Sequence, residues 1–212
     1  MPHDTGKSWQ TVLSSGLPIA SKKPRTAVIF AGGKSSRMEQ DKALLPFGGF
    51  PTLAQFQFQR LQALFDDVYI AAKTNKFTFD VPIIEDIKET ASPMVGLVSI
   101  WDQVDADEIF VISVDLPFVT SEVIEKLYGK AEQNQADVIV ARSPNGLEPL
   151  CAIYRRSSSK VIQQLLIQDN HKLQYLLQRL DTVEVNFEKT EWFMNLNYPS
   201  DYQKALEYLI RF

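Results

Sequence analysis

Residues 26–42 read Thr-Ala-Val-Ile-Phe-Ala-Gly-Gly-Lys-Ser-Ser-Arg-Met-Glu-Gln-Asp-Lys. The first six, Thr26–Ala31, form a short apolar run rich in β-branched residues, the pattern of a buried parallel strand entering a loop. Gly32 and Gly33 then admit backbone angles closed to other residues and let main-chain N–H groups approach an anion. Lys34, Arg37 and Lys42 supply positive charge, and Ser35 and Ser36 supply hydroxyl donors. That combination suits a triphosphate. It is neither a Walker A loop nor a Gly-x-Gly-x-x-Gly dinucleotide turn, because the required Gly and Lys spacings are absent.

Outward from this loop, apolar strand-like runs alternate with helical patterns. Thr52–Phe65 is the first helical segment, and strands are expected at Val68–Ala72, Val81–Ile84 and Ile109–Val114. Helices are expected over Val95–Val104 and Ser121–Asn134, with Ser121 as cap and Glu122 and Glu125 as first-turn acids. Val138–Ala141 and Pro149–Tyr154 read as strands, the second breaking the simple alternation. Helices at Ser157–Ile167 and His171–Leu180, a strand at Thr182–Phe187 and a helix at Ser200–Ile210 complete the pattern. This is an α/β chain with a doubly wound, mostly parallel sheet in three layers, of Rossmann-like type. Residues 26–212 read as one domain. Residues 1–25 read as an extension, with Lys22-Lys23-Pro24-Arg25 as a solvated basic stretch.

The 212 residues are 45% hydrophobic and 23% charged, an ordinary globular balance, and the net charge of −4 argues against a nucleic-acid partner. No apolar run approaches the ~20 residues needed to cross a bilayer. The single cysteine, Cys151, has no His or Cys beside it in sequence and reads as a buried structural thiol. A cytoplasmic setting is the expectation. His3 and His171 have no zinc-ligand spacing.

The remaining candidates for chemistry are carboxylates and amides at the ends of strand runs. Asp115, after Ile109–Val114, is placed either to hold Mg²⁺ with substrate phosphates or to cap the following turn. Asp86, after Val81–Ile84, is an acceptor-only carboxylate at a strand end, open to a ligand's hydrogen-bond donors or serving as a turn residue. Asn195 and Asn197 flank Leu196; one of them reaches metal or phosphate, or both stabilise the loop before Pro199. Pro93 and Gly96 read as shape-setting.

The run Ala31-Gly32-Gly33-x-x-x-Arg37-Met38-x-x-Asp41-Lys42-Ala43-Leu44-Leu45 resembles the signature of the molybdenum cofactor guanylyltransferase family. Further segments follow in that family's order: Ile84-Glu85-Asp86, Ser92-Pro93-Met94-Val95-Gly96-Leu97, Val114-Asp115-Leu116-Pro117-Phe118, Glu148-Pro149-Leu150-Cys151-Ala152-Ile153-Tyr154, and Asn195-Leu196-Asn197-Tyr198-Pro199. The resemblance covers roughly Thr26 to Leu209. It implies Mg²⁺-dependent transfer of GMP from GTP to molybdopterin with loss of pyrophosphate, and other molybdenum cofactor biosynthesis or target proteins as further partners. It implies Arg37, Lys42 and Asp115 as catalytic residues, with Asp115 on the metal. It implies a nucleotide site formed by Phe30, Ala31, Gly32, Gly33, Lys42, Lys73, Asp86 and Asp115, the backbone N–H groups around Ala31–Gly33 cradling phosphate. The same loop type marks cytidylyltransferases and sugar- or alditol-phosphate nucleotidyltransferases, and these stay open as alternatives, as does a binding protein of weakened catalysis. Two positions depart from the family: Glu39 stands where it has Gly, and the Asn after its second strand falls within Lys73–Asn75. A carboxylate at 39 repels phosphate unless it points outward.

Overall fold

β1 (Thr26–Phe30) is buried along its whole length, as a run of Ala, Val, Ile and Phe requires of a central strand. Its side chains alternate between two cores: Ala27 and Ile29 enter one, Val28 and Phe30 the other. The computed structural model describes residues 25–32, 40–87 and 92–210. β1 lies between β2 (Asp67–Ala72) and β4 (Glu108–Ser113) and runs parallel to both. β3 (Ile83–Glu85) extends the sheet beyond β2. On the other side β6 (Gly146–Arg155) pairs antiparallel with β4 and with β5 (Val138–Ser143), and β7 (Thr182–Asn186) runs parallel to β5. The described residues thus form one seven-stranded sheet of order β3-β2-β1-β4-β6-β5-β7.

Helices cover both faces, α1 (Leu53–Gln62), α2 (Pro93–Gln103), α3 (Ser121–Ala131), α4 (Ser159–Ile167), α5 (Leu173–Arg179) and α6 (Pro199–Ile210). α1, α3 and α6 pack with Ala27 and Ile29, and α2, α4 and α5 with Val28 and Phe30. The chain is therefore a three-layer, doubly wound α/β fold with a mostly parallel sheet.

Local signals explain where the helices begin. Thr52 Oγ1 accepts from Gln55 N at 3.0 Å to cap α1, and Ser92 Oγ accepts from Val95 N at 3.2 Å to cap α2, with Pro93 at its first position. Gly96 lies inside that first turn. A Cβ there would stand 2.6 Å from Phe30 Cε1, so glycine is what lets α2 lie against β1. The expected Ser121 cap is corrected by one residue: Thr120 holds the cap position, its carbonyl accepting from Val123 and Ile124, and Ser121 is already helical.

The expected boundary at residue 25 also shifts. Arg25 is buried, not solvated: its backbone N–H donates to Asp66 Oδ2 at 2.8 Å and its guanidinium lies 4.0 Å from the Tyr128 ring centre. The expectations for residues 1–24 lie outside the described residues.

The loop leaving β4 is held from below by α1. Gln57 Nε2 donates to the carbonyls of Ser113 and Val114 at 3.4 Å and of Leu116 at 3.0 Å. Arg60, one helical turn on, donates through Nη1 to the carbonyls of Pro117 (3.0 Å) and Val119. Both side chains are buried, so these carbonyls exchange water for amide and guanidinium donors. Gln57→Leu keeps the volume and strands the carbonyls. It should lower unfolding free energy by about 1–3 kcal/mol in urea titrations.

Candidate active site

Asp115 sits just beyond β4, at the edge where β1, β2 and β3 also end, the usual ligand side of an open α/β sheet. Lys42 reaches it from the turn Lys42–Leu44: Nζ donates to Asp115 Oδ2 at 2.9 Å and to Asn197 Oδ1 at 3.0 Å. Asp41 sets that turn, its Oδ1 accepting from Ala43 N at 3.0 Å. Leu196 N donates to the carbonyl of Asp115 at 3.1 Å, and Asp201 Oδ2 accepts from Asn197 N (3.1 Å) and Tyr198 N (2.9 Å). Three distant segments thereby converge on one ion pair whose members are 16% and 17% exposed, little screened by solvent.

The two asparagines separate here. Asn197 joins Lys42, whereas Asn195 makes no side-chain hydrogen bond among the described residues. Because Lys42 donates to its Oδ1, Asn197 turns Nδ2 outward as a donor.

The glycine-rich turn departs in detail from its expected form. Ala31 N donates to Ala71 O at 2.9 Å, continuing the β1–β2 ladder, so this N–H is committed to the sheet and cannot cradle phosphate. The Phe30 carbonyl accepts from Val114 N at 2.9 Å, and its ring lies under Gly96. Gly32 is exposed, and its N–H has no partner among the described residues. Gly33, Arg37 and Glu39 lie outside the described residues.

Lys76 belongs to the site although sequence reading did not single it out. Its Nζ donates to Ala31 O at 2.9 Å and to Asp41 Oδ2, bracing both ends of the glycine-rich segment from the loop after β2. The only signal for it in sequence is a second lysine within Lys73-Thr74-Asn75-Lys76.

Asp86 follows β3 and is half-buried. Burial raises its carboxyl above the ordinary carboxylate range, and the neighbouring Lys73 charge opposes that rise. Lys73 and Asp86 therefore are neighbours beyond the ends of β2 and β3, one and two strands to the side of Gly32. A further half-buried carboxylate, Glu148 on β6, accepts from Ser143 Oγ at 2.8 Å. Its rise has the same first cause, burial, which the Ser143 hydrogen bond offsets and the Asp115 charge reinforces.

Among the described residues no three His, Cys, Asp or Glu side chains converge as a metal cage. The fit to magnesium rests on Asp115, whose Oδ1 accepts no hydrogen bond among the described residues. One open carboxylate oxygen beside a lysine ammonium matches an ion that takes one or two carboxylates and completes its shell with phosphates and water. Cys151 is fully buried, and burial raises its thiol strongly. No helix of the described residues is long and apolar enough to cross a membrane.

Comparison with known proteins agrees with this geometry. Residues 27–183 match the MobA-like NTP transferase domain. The chain is 36% identical over 179 residues to a molybdenum cofactor guanylyltransferase of Campylobacter jejuni subsp. doylei, covering 84% of this chain and 93% of that one. It is 32% identical over 198 residues to a protein of the same name from Helicobacter pylori strain J99, covering 91% and 92%. In three dimensions it superposes on molybdopterin-guanine dinucleotide biosynthesis protein A of Archaeoglobus fulgidus with TM-score 0.77 and 22% identity, covering 88% of this chain and 100% of that one, a likeness of fold. With a doubly wound sheet, a glycine-rich turn after its first strand and a Lys–Asp–Asn cluster at that sheet's ligand edge, the chain belongs to the MobA-like NTP transferase family, and its class of reaction is nucleotidyl transfer.

Proposed function

We propose that the chain transfers GMP from GTP to molybdopterin, releasing pyrophosphate and giving molybdopterin guanine dinucleotide. The observation that carries the reading is the order of groups along the sheet edge: Asp86 at β3, Gly32 at β1, Lys42 with Asp115 at β4. A nucleotide laid along that edge brings its base to Asp86 and its phosphates to Gly32 and Lys42. The names of the relatives support guanine and molybdopterin as the two partners.

The terminal phosphate oxygen of the acceptor bonds to the α-phosphorus of GTP, and the bond to the β-phosphate oxygen breaks. The protein's work is positioning and charge neutralisation. Lys42, fixed by Asp115 and Asn197, meets the phosphates with its direction already set. Asn197 Nδ2 and Gly32 N–H donate to phosphate oxygens, and Arg37 adds charge from the same turn. Magnesium held at Asp115 Oδ1 would supply further neutralisation of the triphosphate. Lys42→Ala and Asp115→Asn should each lower turnover on the order of 10²–10³-fold, measured as pyrophosphate release at saturating GTP and Mg²⁺. Turnover that survives Asp115→Asn with its Mg²⁺ requirement intact would overturn the metal assignment.

Asp86 in its ionised form accepts both guanine N1–H and the 2-amino group. Asp86→Asn offers one acceptor and one donor, which suits the xanthine edge. Utilisation of GTP should fall, and that of XTP rise, by roughly tenfold or more, the scale of one bidentate pair. Since burial raises the Asp86 pKa, protonation removes an acceptor as pH falls through that raised value. KM for GTP should then climb toward acid pH in the wild type and stay flat in Asp86→Asn. A preference for CTP over GTP in the wild type would overturn the base assignment.

A further inference from the structure

The β4–β6 pairing brings another carboxylate to the edge where Asp115 lies. β6 runs antiparallel to β4, from Glu108 with Arg155 to Ile112 with Cys151, so its first residues, Glu148 among them, stand at the edge beyond the end of β4 where Asp115 lies. One oxygen of Glu148, Oε1, accepts from Ser143 Oγ at 2.8 Å, while Oε2 has no hydrogen-bond partner among the described residues. The flanking Leu147 and Leu150 both pack against the core on the α2, α4 and α5 side of the sheet, and the carboxylate between them is half-buried. Burial of this group is unfavourable without donors to satisfy it, and no ion pair among the described residues supplies them. Ligand N–H groups would.

Its position specifies which ligand. Asp86 and Gly32 lie on the β1–β3 side of Asp115, whereas Glu148 lies on β6, the opposite side. In an in-line displacement the nucleophile enters opposite the leaving pyrophosphate, so the acceptor needs a side of its own. We propose that Glu148 receives the heterocycle of the acceptor, its carboxylate accepting the ring N–H and the exocyclic amino group of a fused aminopyrimidinone, the hydrogen-bonding edge of a pterin. A carboxylate matches such paired donors because both its oxygens only accept. This assignment rests on the guanylyl-transfer reading and adds to it a residue that selects the second substrate.

Pterin and lumazine are the probes, because lumazine carries an oxygen where pterin carries the exocyclic amino group. Binding of each to the full chain is measured by thermal shift in the presence of GTP and Mg²⁺. The wild type should prefer pterin by about tenfold, the scale of one hydrogen-bonded pair. E148Q, which presents one acceptor and one donor, should reverse that preference, and E148A should abolish it. Both variants should keep the wild-type response to GTP alone, which also reports that they are folded. A pterin preference unchanged in E148Q, or no pterin binding by the wild type, overturns the assignment. A GTP response lost only in the variants places Glu148 at the nucleotide and overturns it as well. A wild type that ignores GTP while E148Q still reverses the pterin preference supports Glu148 and sinks guanylyl transfer instead.

Discussion

Lys42 and Asp115 stand 73 residues apart, and the hydrogen bond between them fixes the rest of the site. Each partner is delivered by structure that would otherwise be a loose connection. Lys42 rides on a single turn capped by Asp41, and Asp115 lies in the turn after a strand whose following carbonyls are bound by Gln57 and Arg60. Asn197 arrives because Leu196 donates to the Asp115 carbonyl and Asp201 holds the next two N–H groups. The Lys42 ammonium is therefore positioned by the core of the domain through short steps of main-chain hydrogen bonding. Such preorganisation is what an electrostatic catalyst requires, since no structure has to be rearranged when charge moves in the reaction.

The strand pattern was legible because burial on both faces leaves a continuous apolar run, as in Thr26–Phe30 and Glu108–Ser113. β6 was read as Pro149–Tyr154 and not Gly146–Arg155, three residues short at its start and one at its end, because Gly146-Leu147-Glu148 and Arg155 lack that run; Gly146, at φ +128°, turns the chain back from β5. Lys42 and Asp115 were legible as residue types at strand ends. Lys76 and Gln57 were not, since each acts on residues 35 or more positions away with no local pattern to announce it. Nor does a sequence separate Asn195 from Asn197: the burial of Leu196 and the reach of Asp201 decide which amide faces Lys42. The pairing of the Ala31 N–H was hidden for a similar reason. It donates to Ala71, a partner from another strand that no reading of the turn alone could supply.

Arg60 illustrates how the interior contributes to a surface site. It is buried, pairs with no carboxylate among the described residues, and burial lowers its pKa to about 10, the nearby Cys151 acting in the opposite direction. Its donors hold the Pro117 and Val119 carbonyls, so the buried guanidinium acts on the surface site through the main chain of the loop after β4.

The reversed direction of β6 completes the site. A parallel strand beside β4 would bring its C-terminal end to the ligand edge and send the chain directly into a helix. β6 runs the other way, so its first residues stand at that edge and its last pair with the start of β4, as Glu108 with Arg155. The β5–β6 turn, with Ser143 and Glu148, is thereby placed beside Asp115. A doubly wound sheet normally offers one crevice, at the point where its strand order reverses. Here that crevice lies between β1 and β4, and the antiparallel insertion next to it gives the Lys42–Asp115 pair a second flank. The proposed joining of two substrates needs two flanks, and a single reversed strand supplies the one that parallel winding alone leaves out.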